Sequence, residues 1–208
     1  MRPVYSPNHA LVRVSIQRSS HKSFWIDVMP TLRLLVIVLS LLPLSHNVSG
    51  EQVEIYLIDP VDEDRGFCID IKGHKSKAKI QRGLQAHTCY SYQGKIAVDQ
   101  AFDSVAFGEN RLYLPAFDVC VGAESIRAAA SLQLERCREG EELQKFGWDE
   151  KGRIYLMANP GLCISAAQGE ARKGGGGTPV HLIRNLSLQH CSASLIPTQR
   201  WSFRRLNY

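Results

Sequence analysis

The stretch RLYLPAFDVCV (111–121) contains a short apolar phrase that occurs twice more in the chain. RIYLMANPGLCI (153–164) follows it, and the longer EIYLIDPVDEDRGFCI (54–69) precedes it. Each copy contains an apolar residue followed by Tyr-Leu, and each reaches a cysteine inside an apolar run. Three near-copies at a spacing of roughly fifty residues predict a repeat architecture, in which each copy belongs to one structural unit.

Two further motifs recur after the first cysteine of each copy. An alternating apolar run leads into a second cysteine, in LQAHTC (84–89), LQLERC (132–137) and LSLQHC (186–191). A Gln-x-aromatic motif follows, in QAF (100–102), QKF (144–146) and QRW (199–201). Because alternation is the period of a strand and polar turns separate the runs, the sequence predicts an all-β barrel or sandwich of about twelve short strands.

The repeats divide the chain into three predicted units, at about 53–110, 111–152 and 153–208. No unit of this size buries its apolar face alone, so the three are expected to share one core. One aromatic residue per unit is predicted to fill that core: Phe102, Phe146 and Trp201. The segment ESIRAAASLQLER (124–136) is rich in helix formers, but its alignment with the other alternating runs predicts a strand in its second half.

The first 50 residues are predicted to form a leader. The run LLVIVLSLLPL (34–44) is strongly apolar and follows Arg33, which is typical of a secretory signal sequence, here cut after Gly50. The run is shorter than the about 20 residues of a membrane-spanning helix. The domain 51–208 is therefore expected to be secreted, with no membrane span after cleavage. A short type II membrane anchor is the alternative, and Met29 is an alternative start.

Charge and cysteine content narrow the class of protein. Five of the 25 basic and one of the 20 acidic residues lie in the leader, which leaves 20 basic against 19 acidic residues. A nearly neutral domain has no basic stripe, so no nucleic-acid partner is expected.

All six cysteines follow the leader and predict a disulfide framework. The repeat favours one bridge within each unit: Cys68–Cys89, Cys120–Cys137 and Cys163–Cys191. No two cysteines have the Cys-x-x-Cys spacing of a zinc site, and no histidine follows at zinc-finger spacing. No metal or other cofactor is therefore expected.

This threefold combination of two cysteines and Gln-x-aromatic resembles the ricin B-type lectin family, also described as carbohydrate-binding module family 13. The resemblance covers about residues 53–205. It implies a β-trefoil fold with pseudo-threefold symmetry, and glycans or glycoconjugates as partners. Galactose-type sugars are the family's commonest ligands.

In that family each repeat can hold one shallow sugar site, and the first unit matches its pattern. Asp70 stands two residues after Cys68, where the resemblance implies a carboxylate that binds the sugar. Gln85 and His87, four and two residues before the second cysteine, match the amide and stacking positions. Asp99 and Gln100 stand where the family usually has Asn-Gln, and complete the predicted sugar site.

The chemistry fits these residue types. A carboxylate accepts hydroxyl protons in charge-assisted hydrogen bonds, a flat ring covers the C–H face of a sugar, and an amide both donates and accepts. The other two units lack the pattern. Gly122, Glu135 and Leu143 replace the site residues of unit two, and Ser165, Ser187 and Gln189 replace those of unit three. We therefore expect one working site.

Other functions are less well supported by the sequence. It has neither the nucleophile nor the metalloprotease motifs of common hydrolases, so the protein is not expected to be an enzyme. A β-trefoil that binds protein, as an inhibitor or a signalling ligand, is the alternative. RKGGGG (172–177) lacks the phosphate-loop order and is predicted to be a flexible insertion. DEDRG (62–66) is predicted to be a solvated loop, and NLS (185–187) is a glycosylation sequon on a predicted strand.

Overall fold

The computed structural model describes residues 50–205. The predicted signal sequence, the alternative membrane anchor and the alternative start at Met29 lie outside the described residues. Among the helices that the structure describes, none has the length and apolar character needed to cross a membrane.

The described residues are mostly short strands joined by turns. The strands are β1 (Gln52–Leu57), β2 (Phe67–Ile71), β3 (Leu84–Thr88), β4 (Phe102–Asp103), β5 (Tyr113–Leu114), β6 (Val119–Ala123), β7 (Leu132–Glu135), β8 (Phe146–Trp148), β9 (Ile154–Leu156), β10 (Asn159–Ala166), β11 (Arg172–Lys173), β12 (Leu182–His190) and β13 (Trp201–Arg204). One α-helical turn, α1 (Ile196–Gln199), precedes β13. Single 3-10 turns lie at Lys75–Lys77, Ile80–Arg82, Tyr90–Gln93, Val105–Glu109, Glu142–Gln144 and Ala193–Leu195.

Four strands follow one another in each of three successive stretches: β1–β4, β5–β8, and β9, β10, β12 and β13. The two middle strands of each stretch form an antiparallel hairpin, β2–β3, β6–β7 and β10–β12. Strand β8 pairs with β9 and β13 pairs with β1, so the third stretch is linked to both others. The fold is a β-trefoil, as the family resemblance implied.

One shared core lies between the three units. Phe102 and Trp201 are fully buried and Phe146 is 3% exposed. Phe146 stands opposite Leu156 and Trp201 opposite Leu57, both leucines of the recurring Tyr-Leu phrase. Phe102 stands opposite Val53. The indole N–H of Trp201 donates to the carbonyl of Ile164 at 3.0 Å, which satisfies its one polar group.

The glutamine of each Gln-x-aromatic motif makes the same pair of hydrogen bonds. Its Oε1 accepts from the backbone N–H that follows the second cysteine, and its Nε2 donates to the carbonyl that precedes it, at 2.9–3.2 Å. The glutamines are Gln100, Gln144 and Gln199. Their partners are Thr88 with Tyr90, Arg136 with Arg138, and His190 with Ser192. The motif therefore ties the end of each hairpin to the strand that follows.

The three disulfides join the pairs predicted from the repeat, Cys68–Cys89, Cys120–Cys137 and Cys163–Cys191. The predicted strand in 124–136 is also present, as β7. The alanine-rich part before it is not helical: Ala129 has φ +65° and its N–H donates to the carbonyl of Leu188 at 2.7 Å. A backbone contact with unit three thus outweighs the local helix propensity.

Candidate functional site

The β2–β3 hairpin brings three of the predicted site residues together. Asp70 stands opposite Gln85, and Cys68 stands opposite His87. Because residues two apart on a strand point to the same side, Asp70, Gln85 and His87 share one face of the hairpin. Gln85 Nε2 donates to Asp70 Oδ1 at 2.9 Å, and Gln100 Nε2 donates to Asp70 Oδ2 at 3.1 Å. Asp70 is thus the centre of a small hydrogen-bond network.

Asp70 is almost completely buried, with an exposed fraction of 1%. Burial raises its pKa well above the ordinary value, and the nearby charge of Asp99 raises it further, whereas the two amide donors act in the opposite direction. Both carboxylate oxygens are occupied by amides in this structure. The direct sugar contact predicted for Asp70 therefore stays a prediction and needs a movement of one amide.

Asp99 and Gln100 are fully buried behind Asp70. Asp99 Oδ2 accepts from the backbone N–H of Lys75, and its Oδ1 has no hydrogen-bond partner among the described residues. Burial raises the pKa of Asp99, against the effect of the backbone hydrogen bonds to its carboxylate. Since neither residue is exposed, the sugar contact predicted for Asp99 and Gln100 stays a prediction.

His87 belongs to a cluster of aromatic rings. Its ring stacks on Tyr90 with centroids 5.2 Å apart, and the ring of His181 meets it edge-on at 5.0 Å. His87 Nδ1 donates to the carbonyl of Thr88 at 2.8 Å, which leaves Nε2 as an acceptor. Burial lowers the pKa of His87 to about 4, so the ring is neutral at physiological pH.

These rings line a concave space of about 440 Å³, here called the first-unit cleft. Two of the predicted site residues, Gln85 and His87, line it. The other lining residues are Gly73, His74, Tyr90, Gly175, Gly176, Gly177, His181 and Ile183. The sequence analysis missed the residues from unit three because they lie in or beside an insertion that has no counterpart in the other repeats. The ladder that brings them here pairs β12 with β3, where Ile183 stands opposite His87.

The equivalent positions in the other units differ as predicted. In β6–β7, Gly122 stands opposite Gln133 and Cys120 opposite Glu135. A cleft of about 650 Å³ beside this unit is lined by Glu124, Ser125, Ile126, Arg138, Glu139, Gly140, Glu141, Glu142 and Leu143. It contains no aromatic ring to cover the C–H face of a sugar. In β10–β12, Ser165 stands opposite Ser187 and Cys163 opposite Gln189.

The loop 62–66 is not a simple solvated loop, and that prediction is wrong for Glu63. Its side chain is buried and holds Arg65 through an ion pair of 2.6 Å. Glu63 Oε2 also accepts from the hydroxyl of Thr88 at 2.7 Å. The loop therefore packs against the end of β3, next to the first-unit cleft.

One group of potential metal ligands lies close together in residues 50–205, consisting of Glu54, Cys68 and Cys89. The two cysteines form a disulfide and Glu54 is paired with Arg204. Since a thiolate is the form of cysteine that binds metals, this group is a carboxylate beside a disulfide and does not fit a metal.

Comparison with known proteins shows the same fold in solved structures. The solution structure of the mdaA-1 domain has a TM-score of 0.55 at 16% identity, covering 74% of this chain and 89% of that chain. The C-terminal half of an earthworm R-type lectin, solved in complex with GalNAc, has a TM-score of 0.52 at 10% identity, covering 74% of this chain and 98% of that chain. No protein-family model and no curated protein matches the sequence. The resemblance to ricin B-type lectins inferred from the repeats is thus confirmed for the fold.

Proposed function

We propose that the protein is a secreted carbohydrate-binding domain, a lectin without catalytic activity, whose one sugar site is the first-unit cleft. The observation that supports this function is the convergence of a carboxylate, an amide and a flat ring on one face of the β2–β3 hairpin, in Asp70, Gln85 and His87. The equivalent positions of the other two hairpins hold no such set. The earthworm lectin of similar fold was solved with GalNAc, which is consistent with a sugar-binding use of this scaffold.

The aromatic cluster supplies the apolar surface that a sugar ring needs. His87 and Tyr90 both line the first-unit cleft, and the two rings are stacked. Burial keeps His87 neutral, so no charge has to be desolvated when a sugar C–H face packs on it. The free Nε2 of His87 can accept a hydroxyl proton at the edge of the sugar.

The polar contacts come from Gln85 and Asp70. In the structure the Gln85 amide donates to Asp70. In the proposal it turns outward on binding, so that the amide donates to the sugar while sugar hydroxyls donate to the carboxylate. Hydroxyl donors replace an amide donor, and the buried carboxylate keeps its hydrogen bonds throughout.

Asp99 and Gln100 act as supports in this proposal. Gln100 fixes Asp70 through Nε2 while its Oε1 holds the Tyr90 backbone N–H, which positions the carboxylate and the aromatic wall together. Asp99 accepts from the Lys75 backbone and anchors the turn after β2. Three disulfides and the predicted signal sequence support secretion.

A glycan array tests the proposal, with galactose- and N-acetylgalactosamine-terminated glycans included because these sugars are the first candidates. Wild-type protein should bind a defined subset of the glycans. Asp70→Ala and His87→Ala should each lose the signal by about tenfold or more, since each removes a main contact.

Ser165→Ala is the matched control, because Ser165 occupies the position of Asp70 in unit three. It should bind as wild type does. Absence of binding by folded wild-type protein would favour the protein-binding alternative. Equal signals from wild type, Asp70→Ala and His87→Ala would place the sugar elsewhere.

A further inference from the structure

A segment of unit three crosses to the first unit and is defined here as the strap, residues 171–184. It contains β11, the glycine run and the beginning of β12. Arg172 pairs with Ile183 and Lys173 with Leu182. Beyond this ladder, the N–H of Gly174 donates to the carbonyl of His181 at 2.7 Å, and the N–H of His181 donates to that of Gly176 at 2.8 Å. The glycine run is thus part of a hydrogen-bonded hairpin.

The first unit fastens this hairpin with side chains from the loop after β1. The Arg65 guanidinium donates to the carbonyls of Pro179 and Val180, both at 2.9 Å, while Glu63 holds its other side. The second fastening is an ion pair of 2.6 Å between Asp62 and Arg184, whose side chain is 2% exposed. Several charge-assisted bonds that share these side chains hold a fixed geometry better than one isolated surface pair does.

The backbone and side chain of Thr88 continue the same attachment. Its hydroxyl accepts from the N–H of Leu182 at 2.8 Å and donates to Glu63. Its carbonyl accepts from His87. Thr88 therefore links the strap directly to the ring that the first unit contributes to the cleft.

The fastened strap brings His181 into the first-unit cleft. Its ring meets His87 at 5.0 Å and an interplanar angle of 86°, and meets Tyr90 at 5.3 Å and 82°. Its Nε2 lies 2.8 Å from the Tyr92 hydroxyl, which fixes the orientation of the ring. Burial, and then the charge of Arg65, lowers the pKa of His181, so that a neutral ring faces the cleft.

Glycine is required where the strap passes this ring. Gly177 has φ +92°, and a Cβ atom there would come within 2.3 Å of His181 Cδ2. Gly175, Gly176 and Gly177 line the cleft with backbone alone. The glycine run thus lets the strap approach closely without filling the space between it and His87.

We propose that the sugar site is built from two units, in which the strap forms a second wall and His181 is a specificity-determining residue that contacts the ligand at a right angle to His87. This inference rests on the proposed function. Perpendicular rings form a corner: one ring covers the C–H face of a sugar, and the other reaches the substituents at its edge. A site with two walls selects the sugar more strictly than the shallow site of a single repeat, because substituents pointing at the strap are excluded.

The experiment starts with the wild-type full chain on the glycan array, followed by titration calorimetry with the glycan that gives the strongest signal. His181→Ala should weaken this glycan by about tenfold and change the order of the bound glycans. Tyr92→Phe keeps the ring but removes the hydroxyl that orients His181, and should weaken binding by about threefold. His190→Ala is the matched control, since His190 is an exposed histidine at the far end of β12, and should bind as wild type does.

A measurement on the wild-type protein removes the dependence on variant folding. In an NMR titration with the same glycan, the imidazole signals of His181 should shift together with those of His87, whereas those of His190 should not. If Gln85→Ala loses binding but His181→Ala keeps the wild-type affinity and glycan order, or if the His181 signals stay fixed, the two-unit site is overturned while the proposed function stands. If wild type binds no glycan, both fail.

Discussion

The hairpins of the first and third units carry the same scaffold but different chemistry. In each, a fully buried glutamine joins the two sides of the second cysteine, Gln100 in the first and Gln199 in the third. Each glutamine also donates from Nε2 to the residue two positions after the first cysteine, to Asp70 at 3.1 Å and to Ser165 at 2.6 Å. The serine satisfies the amide as well as the carboxylate does. A carboxylate is therefore not required to satisfy this glutamine, which supports the proposal that Asp70 binds the ligand.

The largest change in stability is expected when the glutamine of a Gln-x-aromatic motif is replaced, because this residue is common to all three units. Gln100→Ala, Gln144→Ala and Gln199→Ala each leave the backbone N–H after the second cysteine without its acceptor and remove one donor from the carbonyl before that cysteine. Each should lower the free energy of unfolding by about 2–4 kcal/mol, since an unsatisfied buried group costs about 1–3 kcal/mol. Urea unfolding of the three variants checks this expectation.

Gln133→Ala is the control, because Gln133 is a half-buried glutamine on β7 outside the motif and should cost less than about 1 kcal/mol. Only Gln100→Ala should also weaken glycan binding. A destabilisation confined to Gln100→Ala would mean that the three motifs are not equivalent in energy, against the common hydrogen-bond pattern.

The second prediction concerns the pH dependence of stability that arises from His87, the ring that the other two units lack at this position. The pKa of His87 is about 4 in the folded protein against 6.5 when unperturbed. Between these values the unfolded chain binds a proton that the folded protein does not, so stability falls as the pH is lowered from about 6.5 to 4. The contribution of His87 to this loss should be about 2–3 kcal/mol, at 1.36 kcal/mol per pKa unit.

His87→Gln places the residue type of the third-unit position, Gln189, in the first unit. It should unfold with a weaker dependence on pH between 4 and 7 than wild type. The difference between the two curves isolates His87, because the carboxyl groups are common to both proteins. Parallel curves would show that His87 titrates near its ordinary pKa and is less buried than the structure has it.

The sequence predicted the fold well because the fold is repeated. Any one Gln-x-aromatic motif is weak evidence, but three of them, each after a second cysteine, specify the disulfide pairs, the hairpins and the core positions Phe102, Phe146 and Trp201. The family resemblance predicts that Asp70 and Gln85 belong to one site, and in the structure the two residues oppose each other in the β2–β3 hairpin.

The composition of the cleft could not be predicted in the same way. His181 and the strap lie in an insertion that has no counterpart in the other units, and repeats carry no information about an insertion. Burial of Asp70 also escaped prediction, since it depends on how Gln85 and Gln100 orient their amides. The fastening residue Glu63 stands in a run of charged residues, DEDR (62–65), whose composition alone is typical of solvent-exposed loops.

A smaller effect is expected from Asp99, where the first unit departs from the Asn-Gln of the family it resembles. Asp99 is fully buried, its Oδ1 has no hydrogen-bond partner within residues 50–205, and burial raises its pKa. A raised carboxyl pKa means that stability is lost as the pH rises through the folded-state pKa. Asp99→Asn removes the second negative charge near Asp70 and keeps an acceptor for the Lys75 N–H.

Asp99→Asn should therefore raise the free energy of unfolding at pH 8 by about 1–2 kcal/mol, which is the cost of a buried unpaired acceptor. The gain should shrink toward pH 4, and urea unfolding at both pH values measures it. Asp103→Asn, a change of a half-buried carboxylate close in sequence, is the control and should give no such gain. A loss of stability at pH 8 would mean that the ionised Asp99 carboxylate is itself a required hydrogen-bond acceptor.

The smallest effect on the free energy of unfolding is expected at Gly122, where the second unit has a glycine in the position of Asp70 and Ser165. A Cβ atom at Gly122 would lie 3.4 Å from Gln144 Cγ and 3.7 Å from the Leu143 carbonyl, which are ordinary van der Waals contacts. Gly122→Ser copies the third unit, so its hydroxyl should accept from Gln144 as Ser165 does from Gln199. The change in the free energy of unfolding should stay within about 0.5 kcal/mol.

Gly122→Asp is the contrasting variant: it should lower the free energy of unfolding by about 1–3 kcal/mol through desolvation of the carboxylate. It should create no glycan binding on the array, because unit two keeps the amide at Gln133 but has Glu135 in place of the stacking ring. A clear loss of stability in Gly122→Ser would show that the space between Gly122 and Gln144 is too small for the serine side chain, so that unit two cannot form the hydrogen bond seen between Ser165 and Gln199.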